Sequence, residues 1–144
     1  MCIDGLSQTF VLTQLPVTPG TLVDDDTGHR YMFVYNTGST SITQYYPAFH
    51  TSTASSGYVG SAGLIAGCVA GVAMTAIDSA NGGWVCIRGF CTCQVLTTIT
   101  TTGWPLIGAA ASLDTAAATG AFIVGQAITV RAGIGTVIAK LCIG

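Results

Sequence analysis

The stretch GGWVCIRGFCTC, Gly82 to Cys93, places three thiols, Cys86, Cys91 and Cys93, beside a tryptophan and an arginine. It reads either as a chemical site or as a strand that carries sulfur. Structural zinc takes four Cys or His ligands, usually from paired knuckles with two to four residues between the thiols. Here one residue separates Cys91 from Cys93, and the only histidines, His29 and His50, lie far upstream. Cys91 and Cys93 on one strand point to the same face, which is poor geometry for an unstrained disulfide. The strand reading accounts for every residue. Gly82-Gly83 closes a turn. Trp84, Cys86 and Arg88 line one face, and Val85 and Ile87 the other. Gly89 permits a bend or bulge, with Cys91 and Cys93 beyond it. Six cysteines in 144 residues are then core or interface filler, since Cys behaves as a small hydrophobe. No metal and no cofactor is expected.

Outward from this strand, Asp78-Ser79-Ala80-Asn81-Gly82 has the composition of a hairpin turn. The preceding AGVAMTAI, residues 70–77, is echoed by VGQAITVR, residues 124–131. Each leads through a glycine-containing turn to a strand, GWVCIRG in one case and GTVIAKLCIG in the other. Aligning Gly83 with Gly135 pairs Val85 with Val137 and Arg88 with Lys140, with turns that differ by two residues. Arg88 and Lys140 then read as outward, solubilising charges.

The rest of the chain carries the same signals. RYMFVYNTGSTSITQYY has a β-rich run, Tyr31 to Tyr35, and a turn at Asn36-Thr37-Gly38. The 21 threonines and the many valines and isoleucines suit pleated surfaces. Short segments between glycine turns predict an all-β barrel or sandwich. The Ala-rich stretch Ala109–Ala118 admits one short helix. Residues 1–28, with Pro-Gly and three consecutive aspartates, read as an extended arm. Asp24, Asp25 and Asp26 lack the alternating spacing of a calcium loop and read as a solvated loop. The organisation is an arm over 1–28 and a barrel domain over 29–144.

Only 7% of residues are charged, against 50% hydrophobic, and the net charge is −2. An ordinary soluble domain is about 25% charged, so much of this surface is expected to be covered by copies of the chain or by a partner. Four scattered basic residues, Arg30, Arg88, Arg131 and Lys140, make no patch for nucleic acid or for an anionic membrane. No signal peptide is expected, because MCIDGLSQTF has no basic region. The charge-free run Gly57–Ile77, with Gly63, Gly67 and Gly71 in register, is the one candidate membrane span. Its Gly, Ala and Ser content and the lack of flanking Lys or Arg weigh against it. Nucleophilic catalysis needs a base beside the thiol or hydroxyl. His50, in YYPAFHTSTASSG, reads as a loop histidine, and Asp4, Asp24–Asp26, Asp78 and Asp114 fall in turn or loop contexts. There is no phosphate-cradling loop and no nucleophile elbow. The chain is not expected to be an enzyme.

AGVAMTAIDSANGGWVCIRGFCTCQV, residues 70–95, resembles a motif of the capsid decoration, or cement, proteins of tailed bacteriophages. AFIVGQAITVRAGIGTVIAKLCIG, residues 121–144, resembles their closing hairpin, and GHRYMFVYNTGSTSIT, residues 28–43, their opening strand. The resemblance implies a small β-barrel or β-tulip domain and no catalytic role. It implies a homotrimer on the capsid exterior of the virion that bridges major capsid protein subunits and is made in the host cytoplasm. The arm would clamp the shell, so that deleting residues 1–28 leaves a folded oligomer that no longer binds. Trp is enriched at interface hot spots, which makes Trp104 and Trp84 candidate anchors; for Trp84, inside a strand, the core is the other place. Leu12, Leu15 and Val17 are the candidates in the arm. The rival readings are a head fibre or receptor-binding virion component and a small membrane protein.

Overall fold

The computed structural model of the chain describes residues 10–11, 17–51, 57–61, 69–95, 98–100, 102–103, 105–109, 112–115 and 123–143. Among them it is all-β, with eleven strands and no helix. The strands are β1 (Phe10–Val11), β2 (Leu22–Asp24), β3 (Arg30–Asn36), β4 (Pro47–His50), β5 (Tyr58–Gly60) and β6 (Val69–Ala73). They continue with β7 (Asn81–Val95), β8 (Pro105–Ala109), β9 (Ser112–Thr115), β10 (Ile123–Ala127) and β11 (Gly135–Cys142).

The stretch Gly82–Cys93 lies inside β7, and β7 organises everything else. Its first half pairs antiparallel with β3 and β6. β6 pairs with β4, β4 with β5, and β5 returns parallel to β3. That circuit is a closed five-stranded ring. The second half of β7 pairs antiparallel with β11, β11 with β10, β10 with β8 and β8 with β9. β9 returns parallel to β7 at Val95. That is a second closed ring with the same strand order and the same sense at every step. Closure shortens the free sheet edges, and one strand of 15 residues serves both rings.

The repeat holds at the level of single ladder pairs. Ala73↔Val85 and Val72↔Cys86 in the first ring recur as Ala127↔Ala139 and Gln126↔Lys140 in the second. Phe49↔Gly60 recurs as Ile107↔Asp114. The bulge that leaves Ala70 unpaired between β4 and β6 recurs at Val124 between β8 and β10. The isolated bridge Ile42↔Ile77 recurs as Ile99↔Arg131. The two hairpins therefore have equal spans. Val85 is the counterpart of Ala139, not of Val137, and Arg88 that of Cys142, not of Lys140. Aligning the glycines had slipped the register by two.

Alternation along β7 fills both rings. Val85 and Ile87 point into the first, with Met32, Val34, Ala48, Val59, Ala70 and Ala73. Cys91, Cys93 and Val95 point into the second, with Leu106, Val124, Ala127, Val137, Ala139 and Leu141. The switch from odd residues inside one ring to odd residues inside the next lies at Gly89, whose φ is +104°. A Cβ there would stand 2.4 Å from the His29 ring, so glycine is required both for the conformation and for the close approach.

Trp84 and Cys86 lie on the opposite face of β7 from Val85, as the alternation predicts, together with Tyr31 and Phe33 of β3. This outer face of the first ring is covered by residues 17–24. Leu22↔Met32, Val23↔Tyr31 and Asp24↔Arg30 are ladder pairs. Gly20 N donates to Phe33 O at 2.7 Å and Phe33 N to Thr21 O at 2.9 Å. Val17 and Val23 pack against the buried aromatics. β1 adds to β7 at Asn81 and Gly82. The 28/29 boundary thus falls at the tip of the β2–β3 hairpin, and the segment from Val17 onward packs on the barrel.

One expectation is corrected, and one rival reading loses support. Ala109–Ala118 is not a helix where it is described: β8 ends at Ala109 and Ser112–Thr115 form β9, because pairing to β7 and β10 overrides alanine's helix propensity. The run Gly57–Ile77 contains β5 and β6 in its described parts, and among the described residues no helix is long and apolar enough to cross a membrane.

Candidate functional site

The three thiols that first drew attention do meet. Cys91 Sγ and Cys93 Sγ are 3.2 Å apart, Cys86 Sγ donates to Arg88 O at 3.4 Å, and all three thiols are free and buried. The hydrogen bond that Cys86 makes with Cys91, and then burial, push the Cys86 thiol far up. For Cys91 the bond with Cys86 acts downward, but the bond with Cys93 and burial outweigh it and raise the thiol. A neutral thiol is neither a nucleophile nor a metal ligand. No group of three His, Cys or Asp that could hold a metal occurs among the described residues. The cluster fills the seam between the two rings.

Of the candidate interface residues, Trp84 is in the core at 5% exposure, edge-on to Phe33. Val17 is half-buried against the same cluster. Leu12, Leu15 and Trp104 lie outside the described residues. Arg88 and Lys140 are exposed, and the Lys140 ammonium stands 5.9 Å from the centre of the Phe90 ring.

The Asp24–Asp26 stretch builds the β2–β3 turn. Asp25 Oδ1 accepts from Thr27 N at 2.9 Å, Thr27 Oγ1 at 2.7 Å and His29 N at 2.9 Å. Burial opposes ionisation of Asp25, but these bonds together hold its carboxyl well below the usual range. Arg30 grips Asp24 with two parallel bonds, 2.6 and 2.8 Å, and that hydrogen bonding lowers the Asp24 carboxyl. Burial pushes the Tyr31 phenol up to about 12, with Cys86 and Asp25 adding to it. His50 ends β4 rather than lying in a loop, and burial lowers it. Asp114 likewise stands in a strand, β9.

What sequence reasoning missed is an exposed apolar cluster on the second ring. Phe90 is 54% exposed and Ile138 44%, with Ile128 beside Ile138. A groove of about 400 Å³ runs here between the rings, lined by Tyr45, Met74, Phe90, Cys91, Thr92 and Ile138. Tyr45 holds a left-handed φ of 69°, rare for a bulky residue, and its carbonyl accepts from Gln94 N at 2.8 Å. The signal was available: beyond Gly89, strict alternation with Cys91 and Cys93 inside puts Phe90 outside.

No family profile and no curated protein matches the chain. Among solved structures, the fold is similar to that of the N base of the head fibre protein gp8.5 of bacteriophage phi29, with a TM-score of 0.57. The likeness covers 77% of this chain and 93% of that one, at 10% sequence identity. At that identity the likeness is one of fold.

Proposed function

We propose that this chain is a structural protein of a phage virion, attached to the outside of the capsid. The observation that carries the reading is that its fold likeness runs over almost the whole of a head-fibre base. The resemblance of residues 28–144 to capsid decoration proteins supports the same setting. So does the poverty of charge, because surfaces that are covered in an assembly avoid charges whose burial costs several kcal/mol, roughly, unless paired. In this reading the chain associates as a homotrimer, bridges major capsid protein subunits and performs no catalysis. The fold likeness favours a second reading equally, in which the two rings are the base of a head fibre.

Electron microscopy of purified particles tests both. Density filling capsid faces or local threefold axes supports the cement role. The same density with a fibre rising from it supports the fibre base. Particles that lack the chain, or carry it only at the tail, overturn the capsid reading. Light scattering of the purified chain tests the trimer.

A further inference from the structure

The repeat of the two rings says what the exposed face of the second ring is for. On the first ring, the outer face carries Tyr31 and Phe33 on β3, Trp84 and Cys86 on β7, and Met74 after β6. Through the ladder equivalences, their counterparts are Phe90 and Thr92, Ile138 and Lys140, and Ile128. The first face is buried: Tyr31 is 6% exposed and Phe33 fully buried. Val17 and Val23 pack on this face, whose buried cluster also runs on into the core of the second ring, and the segment 20–24 saturates the edge of β3, taking up both the N–H and the C=O of Phe33.

On the second ring no such cover is found among the described residues. Thr92 is the counterpart of Phe33. Among the described residues no strand pairs with Phe90–Thr92 on the side of β7 away from β11. The Gln94 N–H points to that side and reaches Tyr45 O, so by alternation the Phe90 and Thr92 amides point there too. His29 closes the edge at Gly89, and Tyr45 closes it at Gln94. Between these stops lies the groove, floored by Phe90 and Ile138. An unpaired edge beside apolar side chains is a template for an added strand.

We propose that the β7 edge from Phe90 to Thr92, with the groove beside it, accepts one extended strand of a partner protein. The covering strand of the first ring sets the chemistry. The partner strand carries β-branched or other apolar side chains at alternate positions, to meet Phe90 and Ile138 as Val23 meets Tyr31. It carries a carboxylate to meet Lys140, which is exposed and has no ion pair among the described residues. A second copy does not bring this strand free, since its own residues 20–24 are held on its own first ring. The site does not depend on the virion reading.

The test uses the full chain, labelled with nitrogen-15, and a synthetic peptide of residues 17–26, VTPGTLVDDD, as the probe. The Thr92 amide is expected to exchange with solvent about tenfold or more faster than those of Cys91 and Cys93, which face β11. Peptide at millimolar concentration slows Thr92 exchange and shifts the Phe90, Ile138 and Lys140 signals. Phe90→Asp abolishes these changes while the amides of Met32 and Val34 stay protected, which shows the first ring intact. Thr92 protection in the dilute chain alone means the edge is already filled and overturns the proposal. Protection that grows with chain concentration makes the occupant a second copy and overturns the assignment to another protein. Peptide shifts that fail to saturate, or that fall elsewhere, overturn the strand site.

Discussion

Trp84 packs edge-on against Phe33, with ring centroids 5.1 Å apart and planes inclined at 70°. The pair joins β7 to β3 on the face on which residues 17–24 pack, so it ties that ladder to the N-terminal segment. Edge-to-face aromatic pairs add about 0.5–1.5 kcal/mol beyond their buried area. Trp84→Ala therefore loses both packing and a cavity's worth of contacts. The expected cost is about 3–5 kcal/mol, read as a lower urea midpoint. A variant as stable as the parent would show that the indole is not core.

The duplicated register makes a sharper prediction at two glycines. A Cβ on Gly71 would lie 2.6 Å from Val85 Cγ2 and 2.9 Å from Cys86 O. A Cβ on Gly125, its counterpart, would lie 2.5 Å from Lys140 O and 3.1 Å from Leu141 Cα. Both carbonyls belong to ladder partners that cannot retreat without opening the ring. Gly71→Ala and Gly125→Ala should each destabilise by about 1–3 kcal/mol. Gly28→Ala, with nothing within 4 Å, should cost only the roughly 1–2 kcal/mol of its left-handed backbone. Equilibrium unfolding of the three variants checks the order; an unperturbed Gly125→Ala would count against the second ring's register.

The strand character of Gly82–Cys93 was legible because alternation is local: Trp84 and Cys86 fall on one face, Val85 and Ile87 on the other, and at Gly89 the strand passes from one ring to the next. The echo between residues 70–77 and 124–131 was legible for the same reason. Its continuation was not. Gly83 and Gly135 looked like equivalent turn residues, yet Gly83 is a ladder residue opposite Val34 whose missing Cβ makes room for Ile77. Gly135 opens a strand opposite Val95. Two glycines doing different work cannot set a register. The alanines near 109–118 misled because propensity is weak where a neighbouring strand offers a ladder. The edge at Phe90–Thr92 was beyond sequence reading, since it is defined by the lack of a pairing strand among the described residues.

The thiols should separate by burial. Cys142 is exposed, whereas Cys86, Cys91 and Cys93 are buried, and Cys86 and Cys91 are held protonated at neutral pH. Alkylation of the native chain, mapped by peptide mass spectrometry, should modify Cys142 and spare Cys86, Cys91 and Cys93 until denaturant is added. Rapid labelling of Cys91 in the folded chain would mean that the seam between the rings opens.

Acid should loosen the β2–β3 turn. Hydrogen bonds hold Asp24 and Asp25 below their unfolded value, which is about 3.9. The folded chain therefore binds fewer protons than the unfolded one in this range. The stabilisation from these carboxylates is complete above that value and is lost as pH falls through it towards the folded value. The urea midpoint should fall between about pH 6 and about pH 3, and Asp25→Asn should shrink that fall. An Asp25→Asn variant with the parent's full acid sensitivity would place the titrating group elsewhere.

Removal of residues 1–24 tests whether that segment is an arm or part of the barrel. It takes away the ladder to β3, the Gly20–Phe33 and Phe33–Thr21 bonds and the packing of Val17 and Val23. Tyr31, Phe33 and Trp84 would then face water on one side. Exposing aromatic surface of this kind costs on the order of 3 kcal/mol or more. The truncated chain should unfold at lower urea and bind an apolar fluorescent dye. Removal of residues 1–9 leaves every described strand in place and should do neither. If the longer truncation keeps the parent's stability and binds no dye, residues 17–24 do not cover the first ring in solution. The exposed face of the second ring would then have no covered counterpart to be compared with.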